Sequence, residues 1–76
     1  MKLTRGEFCQ FNLSTRSVLL KEFGRAIFKK KIKMHLVSVY RIFDFYVEVY
    51  EDLPGLKLEK IEPVVNPVFL DIYREA

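Results

Sequence analysis

Residues 45–50 read Phe-Tyr-Val-Glu-Val-Tyr, a strict alternation in which Phe45, Val47 and Val49 are separated by Tyr46, Glu48 and Tyr50. A period of two belongs to an extended strand, whose successive side chains point to opposite faces. At 100° per residue a helix would scatter the same three apolar residues around its circumference. The segment is therefore predicted to be a strand with Phe45, Val47 and Val49 toward a core and Tyr46 and Tyr50 away from it. A strand is not stable alone, so its neighbours must supply partners.

Those partners are legible on both sides. Residues 34–43 are rich in β-branched and aromatic side chains, which suit a pleated, half-buried surface. Asp44 follows, a residue that tolerates turn geometry. Leu53-Pro54-Gly55-Leu56 has the pattern of a type II turn, with proline at the second position and glycine at the third. The strand expected over 56–62 has Leu58 and Ile61 three apart, which points to a bulge or an early end. Upstream, residues 25–31 read as a first strand that runs into the basic turn Lys29-Lys30-Lys31.

Helical signals flank the meander. Thr4-x-x-Glu7 has capping-box spacing ahead of a short helix over 5–11. Ser14 is the expected N-cap of a second helix over 15–23, with Val18, Leu19, Leu20 and Phe23 on its apolar side and Arg16 and Lys21 in solvent. Gly24 is placed for a left-handed C-terminal cap. Near the end, Asn66-Pro67 is a helix start, and Val68, Phe69, Ile72 and Tyr73 form an apolar stripe. The expected fold is a single α+β domain spanning residues 1–76: two short N-terminal helices, an antiparallel meander of three to four strands and a short C-terminal helix packed on one sheet face. With helices on one side only, the other sheet face stays partly open.

Composition narrows the function. Half of the 76 residues are hydrophobic, too many for a disordered chain. A chain this short buries only about 60% of its unfolded surface, which leaves little for a deep catalytic cavity. It often gains stability by pairing subunits. One cysteine cannot form an internal disulfide, and the polar start lacks a signal peptide's apolar stretch, so a reduced cytoplasmic setting is expected. No apolar run approaches the ~18 residues of a membrane span.

Chemistry-bearing residues are sparse. His35 is the only histidine, and with one cysteine there is no evident zinc ligand set, so neither a metal nor a cofactor is expected. Cys9 reads as a small buried apolar group rather than a nucleophile. Asp44, Glu48, Glu51 and Asp52 read as solubilising charges without a reacting partner. The three glycines make no phosphate-binding loop. Catalytic residues are accordingly not assigned, and the chain is expected not to be an enzyme.

Two interaction surfaces remain. If Tyr46 and Tyr50 face outward, Val37 and Val39 of the neighbouring strand can join them in an apolar patch of the kind that marks protein contacts. The partner would be a second copy, giving a homodimer, or another protein. The alternative is a nucleic-acid-binding module using Lys29, Lys30, Lys31 and Lys33. Charge is uneven along the chain: residues 1–41 hold ten Lys/Arg against two Asp/Glu, and residues 42–76 three against eight. Charge halves in sequence need not be halves in space, and edge strands carry lysines simply to deter pairing. The segment Asp44-Phe45-Tyr46-Val47-Glu48-Val49-Tyr50 shares its aromatic richness with a strand of RNA recognition motifs. It lacks that strand's glycines and basic residue, and Glu48 would repel phosphate.

Phe8, the Leu19-Leu20 helix ending at Gly24, Tyr40, the Phe45-Tyr46-Val47-Glu48-Val49 strand, Ile61 and Leu70 to Tyr73 together resemble a family of short, uncharacterised bacterial proteins. That family's pattern is likewise a helical start, a glycine, a meander with an F-Y-V-E-V-type strand and a closing helix. The resemblance implies a bacterial cytoplasmic protein and carries over no functional residue.

Overall fold

The computed structural model describes residues 2–64. The chain runs α1 (Arg5–Phe8), α2 (Leu13–Phe23), β1 (Gly24–Ile32), β2 (His35–Ile42), β3 (Phe45–Asp52) and β4 (Lys57–Pro63). The strands form one antiparallel sheet in the order β1-β2-β3-β4, an uncrossed meander. A four-stranded antiparallel sheet with two short helices is an α+β arrangement. The expected C-terminal helix, with Asn66, Val68, Phe69, Ile72 and Tyr73, lies outside the described residues.

Register assigns each side chain to a face. Phe45 pairs with Ile42, Val47 with Tyr40 and Val49 with Ser38 across β2; Val49 pairs with Ile61 across β4. Ile42, Phe45, Val47, Val49 and Ile61 join Leu3, Phe8, Leu19 and Leu20 in one buried cluster. Both helices therefore contribute to the same side of the sheet. Phe8 meets Phe45 edge-on at 5.6 Å between ring centroids.

Helix α1 starts with the expected capping box: Glu7 N–H donates to Thr4 Oγ1, and Thr4 N–H donates to Glu7 Oε1. It ends at Phe8 rather than residue 11. Helix α2 is capped by Asn12, whose Oδ1 accepts from Thr15 N–H at 2.9 Å, and begins two residues before the expected Thr15. Asn12 and Ser14 are both competent caps, and the earlier one adds two residues to the helix. Val18 faces solvent rather than the core.

Arg16 was expected in solvent but is half-buried and works as a clamp. Its guanidinium donates to the carbonyls of Phe11 at 2.8 Å, Cys9 at 2.7 Å and Ile61 at 2.5 Å, and lies over the Phe8 ring. One side chain thus ties the loop after α1 to α2 and β4.

The turns depart from expectation in detail. Gly24 is extended, at φ −84° and ψ 155°, and passes α2 directly into β1 instead of forming a left-handed cap. A Cβ there would lie 2.6 Å from the Leu20 carbonyl oxygen, so glycine is required for close approach and not for handedness. The β2–β3 turn falls at Phe43 and Asp44, as Asp44 suggested, with Phe43 at φ 55°. The β3–β4 connection is not type II: the Leu53–Pro54 bond is cis, and the positive φ falls on Leu56 and not on Gly55. The expected bulge is present, with the register shifting between Tyr50 and Glu51 opposite Lys60 and Leu58.

Candidate functional site

The sheet face turned away from α1 and α2 carries a mixed set of apolar, aromatic and charged side chains. Tyr50 pairs with Val37, Glu48 with Val39, Tyr46 with Arg41 and Asp52 with His35. Phe28 pairs with Val39 and Lys30 with Val37 across β1, after a register shift between Ala26 and Phe28. The pleat thus brings Val37, Val39, Tyr46 and Tyr50 to one face.

Their exposure differs from expectation. Val37 is 1% exposed and Val39 0%, while Tyr46 and Tyr50 are half-buried. Neither valine is itself accessible, although both lie opposite the helix-covered side. Val37 and Val39 form a shielded floor, and the tyrosines supply the reachable apolar surface.

Charge around the tyrosines is of both signs. The Arg41 guanidinium lies over the Tyr46 ring at 5.7 Å, and Lys60 Nζ over the Tyr50 ring at 4.4 Å. The Tyr50 hydroxyl donates to Glu48 Oε2 at 3.4 Å, and Lys60 pairs with Glu62 at 3.9 Å. The tyrosine side chains are held by these contacts rather than left to sweep through solvent.

The lysine run does not share this face. Lys30 points to the valine side, where its Nζ is buried without a hydrogen-bond partner. Lys29 and Lys31 pair with Ser38 and Leu36 on the opposite face, and Lys33 lies in the β1–β2 turn at φ 55°. A run of three adjacent lysines on a strand is divided by the pleat.

The acidic residues are also distributed. Asp44 pairs with Lys2 at 3.6 Å in solvent, and Glu51 faces the helix side opposite Leu36. Asp52 instead meets His35, with Nε2 at 3.4 Å from Asp52 Oδ1 and 2.9 Å from Glu59 Oε2. These three donors lie within 4.8 Å of one another. The edge of the His35 ring meets Tyr50 at 6.2 Å. The His35–Asp52 contact is implicit in the hairpin centred on Phe43 and Asp44, because that turn sets the two residues opposite each other. Glu59 joins only through the β4 bulge, which no periodicity in the sequence places.

Cys9 is exposed, not buried, because α1 ends just before it. Between α2 and the sheet, a cleft of about 340 Å³ is lined by Leu20, Tyr40, Leu58 and Ile61, with Lys21 and Glu51 at its rim. Its volume is near the lower end of ligand-binding clefts. No helix among the described residues is long and apolar enough to cross a membrane. The class is that of a small α+β domain with one helix-covered sheet face. No protein-family model matches the chain, and no curated protein or solved structure is significantly similar to it.

Proposed function

We propose that the chain is a non-enzymatic interaction module that self-associates through the sheet face carrying Val37, Val39, Tyr46 and Tyr50. The observation that carries this reading is the pair of half-buried tyrosines, Tyr46 and Tyr50, set among charges of both signs on the side away from α1 and α2. Covering the apolar surface that the two tyrosines leave accessible is worth about 25 cal/mol per Å².

A second copy of the chain, laid face to face, would supply that cover through the half-buried Tyr46 and Tyr50.

Arg41 and Lys60 against Glu48 and Glu62 give the face paired opposite charges, which suits an identical partner better than a polyanion.

Light scattering coupled to gel filtration, run over a wide concentration range, is the test. The expected result is a dimer that becomes monomeric, but still folded, on changing Tyr46→Glu with Tyr50→Glu. A strict monomer at every concentration overturns self-association.

A further inference from the structure

We propose that His35, Asp52 and Glu59 form a binding site for a divalent transition ion of the zinc type. The proposal stands independently of self-association, because it rests on a different corner of the sheet.

The three residues come from three adjacent strands: His35 opens β2, Asp52 closes β3, and Glu59 sits at the irregularity in β4. Asp52 and His35 are register partners, so the hairpin fixes their approach. Glu59 lies between Leu58, which pairs with Glu51, and Lys60, which pairs with Tyr50. It is the extra residue of the bulge, and a bulge re-aims a side chain that regular pairing would send elsewhere. Its carboxylate reaches the His35 ring at 2.9 Å.

The spacing suits one ion. Zinc binds imidazole nitrogen and carboxylate oxygen at about 2.0–2.2 Å, which sets donor separations of about 2.9 Å in octahedral and about 3.4 Å in tetrahedral geometry. The observed separations from His35 Nε2 are 2.9 and 3.4 Å. An ion seated between the donors would replace these direct contacts after small side-chain rotations. Two carboxylates and a neutral imidazole balance a doubly charged cation. The nitrogen ligand disfavours calcium and magnesium, which select oxygen. Among the described residues, neither Asp52 nor Glu59 has an ion pair other than the one with His35, so no lysine must be displaced.

The experiment titrates zinc chloride into the full chain in a Cys9→Ser background, which removes the exposed thiol as a competing ligand. Calorimetry reports stoichiometry, and the resonance of the only histidine reports the site directly. The expected result is one ion per chain and a shifted His35 signal. His35→Ala and Glu59→Gln, each folded by circular dichroism, should weaken binding by roughly tenfold or more. Absence of saturable binding, or an affinity in either variant equal to that of the Cys9→Ser parent, overturns the proposal.

Discussion

Replacing Arg16 by alanine tests whether a single side chain joins the helical layer to the sheet. The guanidinium makes three hydrogen bonds, to the carbonyls of Phe11, Cys9 and Ile61, over a sequence separation reaching 45 residues. A buried hydrogen bond to a charged group contributes about 1.5–3 kcal/mol. Arg16 is only half-buried and the bond to Cys9 is exposed, so solvent screening reduces each to about 1 kcal/mol. Water can then satisfy the exposed carbonyl, which returns part of the loss. The stacking over Phe8, at 5.6 Å, adds about 0.5 kcal/mol. Arg16→Ala should therefore cost about 2–3 kcal/mol, a large share of the roughly 4–11 kcal/mol expected for a domain of this size. With a urea slope of about 1 kcal/mol per molar, the unfolding midpoint should fall by about 2–3 M at unchanged slope. Lysine keeps the charge but loses the planar fork, so Arg16→Lys should recover no more than about half. An alanine variant within about 0.5 kcal/mol of wild type, or a lysine variant equal to arginine, refutes the clamp.

Gly24→Ala should cost about 1–3 kcal/mol, because the new methyl would lie 2.6 Å from the Leu20 carbonyl oxygen and 3.1 Å from its Cα, neither of which can swing aside. Thermal unfolding measures this, and an unchanged midpoint would mean that α2 can retreat from β1. Ser38→Ala should be neutral or stabilising by about 1 kcal/mol, since Ser38 is 1% exposed and its hydroxyl is buried without a hydrogen-bond partner; a clear loss in a urea titration would reveal a partner for that oxygen. Wild-type protein should not bind DNA or RNA with a steep salt dependence. A mobility shift at low salt that disappears in the Lys29→Glu, Lys30→Glu, Lys31→Glu variant would displace self-association in favour of nucleic-acid binding.

The meander was legible because its signals are local. Alternation at residues 45–50 fixed the two faces of β3, Asp44 marked the hairpin turn, and the three-residue step from Leu58 to Ile61 marked the bulge. Helix boundaries were less so, since Asn12 and Ser14 are nearly equivalent caps and only packing chooses between them. The role of Arg16 was invisible, because its Ile61 partner is set by the tertiary fold. Proline and glycine at 54 and 55 fit two turn geometries, and the chain adopts the cis one. On the candidate site, alternation placed Tyr46 and Tyr50 on the face away from the helices, and Val37 and Val39, expected beside them in an exposed patch, share that face but are shielded. Pleating also divides Lys29, Lys30 and Lys31 between faces, a consequence of strand structure that a linear charge count conceals.

The two sides of the sheet are built to different rules, and the difference bears on function. On the helix side, buried apolar residues of the sheet meet those of α1 and α2, and Arg16 answers carbonyls at their border, while the buried hydroxyl of Ser38 stays without a hydrogen-bond partner. On the other side, two fully shielded valines are bordered by half-buried tyrosines, with Arg41, Glu48, Lys60 and Glu62 beside them. The proposed self-association would therefore use Tyr46 and Tyr50 as its apolar contacts, since the two valines are already shielded within one chain. It would match the border's charges of both signs with those of an identical partner, the arrangement a two-fold interface permits.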